Sequence, residues 1–147
     1  MKDRGLPSIV IVRKIRATPA KVFAALTTPD LMMRWWGPDA GPTIRAEADV
    51  RPGGRFSVVF RLLNGDEHNP TGVYREVIPE EKLVFTWEWP GAPERESLVT
   101  FLLKPSGGGT EMTLVHERLP DEEARQSHHA GWTGFLDKLS NFLGDTE

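Results

Sequence analysis

The sequence predicts an α+β fold: a curved antiparallel sheet of about six to seven strands around a long C-terminal helix, with two short helices after the first strand. Three observations predict it. Between Thr43 and Glu117, apolar and β-branched residues alternate with period two among Gly, Pro and Asn turn signals. From Asp121 to Leu143 the apolar spacing becomes helical. Strands joined by short turns are antiparallel neighbours, so one sheet forms and offers the helix its apolar face.

Each element has its own signal. Ser8 to Arg16 is β-branched and bounded by Pro7 and Ala17-Thr18-Pro19, which reads as a strand. Thr18 is placed as an N-cap, with Pro19 at the first helical position, where its missing N–H costs nothing. Val22, Phe23 and Leu26 give that helix its apolar stripe. A second short helix is expected over Leu31 to Trp36, ended by Gly37-Pro38. Thr43 to Asp49 is a weak strand. Pro52-Gly53-Gly54 turns the chain, and Phe56, Val58, Phe60 and Leu62 then alternate with outward residues. Asn64-Gly65 signals a hairpin, since both positions tolerate positive φ. Thr71 to Ile78 returns, Pro79-Glu80-Glu81 turns, and Leu83, Phe85, Trp87 and Trp89 share one face of the next strand. After a break at Pro90 to Pro93, Ser97 to Lys104 and Glu111 to Glu117 flank a Ser106-Gly107-Gly108-Gly109 hairpin. In the last helix, Asp121, Glu122 and Glu123 crowd the first turn, where the helix dipole favours negative charge. Trp132, Phe135, Leu136, Leu139, Phe142 and Leu143 make its apolar face.

The 147 residues fit a single domain over 8–144 behind an N-terminal tail of residues 1–7. Seven Phe, five Trp and one Tyr supply bulky core material. The net charge of −3 and the scattered basic residues offer no positive footprint for nucleic acid or an anionic membrane. No apolar run approaches ~18 residues, so no membrane span or signal peptide is read and a cytoplasmic location is expected. With zero Cys, disulfides, thiolate metal sites and a Cys nucleophile are absent.

Local motifs add to the element order. They are Ala17-Thr18-Pro19 with Val22-Phe23, Thr28-Pro29-Asp30 with Trp35-Trp36-Gly37-Pro38, and Arg51-Pro52-Gly53-Gly54. Further on come Gly72-Val73-Tyr74-Arg75-Glu76-Val77, Leu83-Val84-Phe85-Thr86-Trp87, Gly109-Thr110 and His128 to Trp132. Each is weak alone; in this order they are specific. The chain resembles the START-like (SRPBCC) superfamily and, within it, the homologues of the activator of the heat-shock protein 90 ATPase. The resemblance implies a helix-grip fold with a cavity between sheet and helix. It also implies a choice of roles, because the superfamily holds ligand-sequestering proteins, lipid carriers, cyclases and a co-chaperone domain. Fold analogy does not select among them.

The residues favour a binder of a small hydrophobic or aromatic molecule, with a sequestration or stress-related role. A curved sheet cannot touch a straight helix along its whole length, and the space between them is the expected site. Its expected wall is Trp35, Phe56, Val58, Phe60 and Tyr74, then Phe85, Trp87, Phe101, Trp132 and Leu136. All of these are equally ordinary core residues. At about 100° per residue, Arg125 and His128 fall on the Trp132 face of the helix, and strand alternation turns His116 inward beside them. Burying roughly 200 Å² of apolar ligand surface yields about 5 kcal/mol, against an association cost of ~4–15 kcal/mol. A productive guest is therefore large and flat, or engages polar groups as well.

A second expectation is an enzyme, a cyclase or hydrolase using His116, His128, Tyr74 or Glu76 in the same cavity; Glu76 is expected to face inward with Tyr74. A chaperone-interaction module is the third and least expected. No cofactor or metal is read: His128 and His129 are adjacent and diverge too far to share an ion. Ser106 lies on no nucleophile elbow, and Gly107-Gly108-Gly109 lacks the residues that complete a phosphate loop. Gly131, flanking the inward helix face, leaves room for a ligand or a strand. Homodimer formation stays open.

Overall fold

The computed structural model describes residues 7–36, 43–92 and 96–144. The tail through Leu6, the Gly37-Pro38 helix stop and Pro93 lie outside these residues.

The first strand, β1 (Ile9–Ile15), leads into α1 (Pro19–Thr27). Thr18 caps α1, its Oγ1 accepting from the Lys21 N–H at 3.3 Å, and Pro19 takes the first turn as expected. The next helix, α2 (Pro29–Met32), starts two residues before the expected Leu31, because Pro29 suits a first turn and Thr28 ends α1 directly before it. Beyond Met32 the chain continues in looser turns. These let the adjacent rings of Trp35 and Trp36 both face inward, which a regular helix would splay apart. Trp35 anchors the turn by donating from Nε1 to the Ala25 carbonyl at 2.8 Å.

The sheet follows as β2 (Thr43–Ala48), β3 (Arg55–Arg61), β4 (Glu67–His68), β5 (Thr71–Ile78), β6 (Lys82–Trp87), β7 (Ser97–Ser106) and β8 (Gly109–Glu117). Its strand order is β1-β8-β7-β6-β5-β3-β2, with β4 added on β3. All described pairings are antiparallel. Phe56, Val58 and Phe60 point inward along β3, as do Leu83, Phe85 and Trp87 along β6.

Two departures matter for the site. First, β3 pairs with β5 only through Arg55, Phe56 and Ser57, while its far end pairs with β4 through Phe60 and Arg61. Asn69 fills the gap between the two pairings, donating to the Val58 carbonyl at 2.9 Å and to Ser57 Oγ at 3.0 Å. The two-residue β4 carries no pattern that sequence reading could detect. Second, a bulge separates Tyr74, opposite Phe85, from Glu76, opposite Val84. A bulge inserts one residue and so changes which face later residues occupy. Glu76 therefore lies on the outer face, bound to Lys82 Nζ at 3.2 Å, and the expectation that it faces the cavity is corrected.

The long helix α3 (Glu122–Gly144) lies in the grip of this sheet. Asp121 precedes it as the cap, Oδ1 accepting from the Ala124 N–H at 2.8 Å. Trp132, Phe135, Leu136, Leu139 and Leu143 are buried against the sheet and the two short helices, as the helical spacing predicts.

Candidate functional site

The interior is not uniformly open. Its middle is packed by Phe56, Tyr74, Phe85 and Phe101 with Leu26, Met32, Leu83 and Trp36, leaving a void of about 10 Å³, room for no more than about one water. The space lies at one end instead. There a cleft of about 370 Å³ opens between the far end of β3, β4, the end of β6 and the first half of α3. This volume falls within the range of small-molecule sites.

Six aromatic side chains close a ring around the cleft. Phe60 meets Phe135 with 5.8 Å between ring centroids, Phe135 meets Trp132 at 5.0 Å, and Trp132 meets Trp87 at 5.2 Å. Trp87 meets Trp89 at 5.8 Å, Trp89 meets His68 at 6.0 Å, and His68 returns to Phe60 at 5.6 Å. Leu62, Ser127, His128 and Gly131 complete the lining.

Two histidines stand beside one another at the helix side, their ring centroids 5.1 Å apart. His116 is fully buried behind the wall. Its Nδ1 accepts from Trp132 Nε1 at 2.8 Å, and its Nε2 stands 2.6 Å from Ser97 Oγ. An indole N–H only donates, so Nδ1 carries the lone pair and Nε2 carries the proton, which it gives to Ser97. Burial, and then neighbouring His128, holds His116 well below the usual imidazole range. His116 is thus neutral and has no lone pair for the Ser97 hydroxyl, so this pair is not a nucleophile and its base. His128 takes the opposite tautomer. Its Nδ1 donates to the Ala124 carbonyl at 2.8 Å, and its Nε2 accepts from Trp89 Nε1 at 3.4 Å.

Of the expected wall, Phe60, Trp87, His128 and Trp132 line the cleft. Trp35, Val58 and Leu136 do not; they are fully buried core. Phe56, Tyr74, Phe85 and Phe101 belong to the packed middle, because Leu26 of α1, Met32 of α2 and the Trp36 ring fill the sheet's concave face there. In that setting burial, with a contribution from Asp49, raises Tyr74 well above the usual phenol range, so it stays protonated. Arg125 is corrected as well. Sinking a guanidinium into the cleft would be costly, and Glu122 one turn earlier offers two oxygens at 2.8–3.0 Å, so Arg125 stays on the helix flank.

Sequence reading left out Leu62, His68, Trp89, Ser127 and Phe135 as wall residues. Phe135 follows Trp132 by three residues and Trp89 follows Trp87 by two, so both carried a periodic signal. His68 carried none, since only the β3–β4 pairing places it. Among the described residues, no three His, Asp or Glu side chains gather as metal ligands, and no helix is long and apolar enough to cross a membrane.

A curved antiparallel sheet closed over a C-terminal helix, with an aromatic cleft at one end, defines a helix-grip protein. The family model described as activator of Hsp90 ATPase homolog 1-like protein matches residues 16–144, and the chain belongs to that family. A solved protein of Chromobacterium violaceum is 25% identical, with a TM-score of 0.84 over 98% of this chain and 99% of that one. The AHSA1 protein of Silicibacter pomeroyi is 26% identical, with a TM-score of 0.83 over 96% and 100% of the two chains. CalU16 of Micromonospora echinospora is 29% identical, with a TM-score of 0.71, covering 92% of this chain and 75% of its own. No curated protein matches.

Proposed function

We propose that this protein binds a small, flat, hydrophobic or aromatic molecule in the cleft at the start of α3. The closed ring of six aromatic side chains around about 370 Å³ carries this reading. Several of the ring contacts are edge-on, at interplanar angles of 74° to 88°, so edges and faces alternate around the wall. A planar guest meets complementary partners on such a wall, and each aromatic pair adds roughly 0.5–1.5 kcal/mol beyond area burial. Hence a two- or three-ring guest overcomes the association cost that a small aliphatic one does not. The neutral, doubly hydrogen-bonded His116 supports binding over chemistry, since it has no free nitrogen to act as a base.

Native mass spectrometry of protein purified from its own host tests the reading. A co-purifying small mass is expected, together with a raised melting temperature in the presence of planar aromatics. At a hundredfold excess over Kd the gain is about 2.7 kcal/mol. A screen of two- and three-ring compounds that leaves the melting temperature unmoved would sink the proposal.

A further inference from the structure

Among the described residues of the aromatic wall, one donor shielded from water is left over. Trp132 Nε1 is spent on His116, Trp89 Nε1 on His128, and His128 Nδ1 on the Ala124 carbonyl. Trp87 also lines the cleft, yet its Nε1 has no protein partner and is shielded from water. An indole N–H left unpaired in the interior is uncommon and calls for an explanation. The other such donor, Trp36 Nε1, belongs to a ring that packs the closed middle and does not line the cleft.

We infer that the cleft selects a planar aromatic guest bearing a hydrogen-bond acceptor, such as an aryl ketone oxygen, which Trp87 Nε1 receives. This rests on the binding function proposed above and adds the class of ligand. Because the donor is shielded, a guest oxygen needs a neighbouring ring to move aside, and Trp89, edge-on to Trp87 at 5.8 Å, is only half-buried. The wall itself favours a neutral guest: its lining holds no Asp, Glu, Lys or Arg to pair with a charged one. A site with a buried donor discriminates against an analogue lacking the acceptor, because the donor then stays unpaired.

Fluorene and 9-fluorenone test this, being planar and of nearly the same shape, the first with a methylene where the second has a carbonyl. In equilibrium dialysis against the full chain, fluorenone is expected to bind roughly tenfold more tightly. Trp87→Phe should bring the two compounds to equal affinity, whatever it does to both, and Trp36→Phe should leave the preference intact. Equal binding to the native protein overturns the acceptor role, as when the donor is satisfied by a water, and leaves the binding function standing. Binding of neither compound overturns both. Should Trp87→Phe fail to fold, the indole N–H resonance of Trp87 in the native protein decides. It should move downfield with fluorenone well beyond its response to fluorene, and equal responses overturn the inference.

Discussion

At His116, two hydrogen bonds fix the tautomer and the charge of a fully buried imidazole. The Trp132 indole can only donate, so protonating Nδ1 would break that bond and place a cation next to His128. The folded protein therefore resists the proton that the unfolded chain accepts near pH 6.5. Below that pH the unfolded state binds more protons, so stability is full above it and falls as the pH drops toward the depressed native value. The limiting slope is about 1.4 kcal/mol per pH unit for one proton. Urea denaturation at pH 7.5 and pH 5.5 should show this loss. His116→Gln, which keeps an acceptor for Trp132 but does not titrate, should flatten it; an unchanged slope would assign the loss to other groups.

At the scale of elements, two glycines have opposite roles. Gly72 in β5 sits where an added Cβ would collide with the Thr86 carbonyl and the Phe56 ring. Gly72→Ala should cost at least about 2 kcal/mol, measured by urea unfolding, because the obstruction includes backbone. Gly131 in α3 has open space where its Cβ would be, on the side of the cleft. Gly131→Leu should raise stability by about 0.5–1 kcal/mol through helix propensity and, by filling the cleft, erase the thermal response to planar aromatics. A stabilised variant that still binds would move the site elsewhere. The strands other than β4, with α1 and α3, were legible because period two, helical spacing, Thr18-Pro19 and Asp121 are local signals. The Glu76 orientation was not, since a bulge is settled by how Tyr74 and Phe85 pair across strands and not by the residues of β5 alone.

Across the whole molecule, a closed core grades into an open end. Leu136 is fully buried in the core, and Leu136→Ala should cost about 2–5 kcal/mol. Leu62, half-buried on the rim of the cleft, should cost about 1 kcal/mol or less on truncation to Ala. Chemical denaturation of both variants measures the gradient, and equal losses would mean that the rim is as tightly packed as the centre. The periodicities of 147 residues determined by themselves the sheet, the gripping helix and the aromatic stock of its interior, because burial of a patterned face is a local property of each element. Where those aromatics touch and where they stand apart was decided only in three dimensions. It depends on β3 leaving β5 for β4, and on Leu26, Met32 and Trp36 filling the sheet at Phe56 and Phe85 but not beyond Phe60. These are distances between elements remote in the chain, and no residue spacing encodes them.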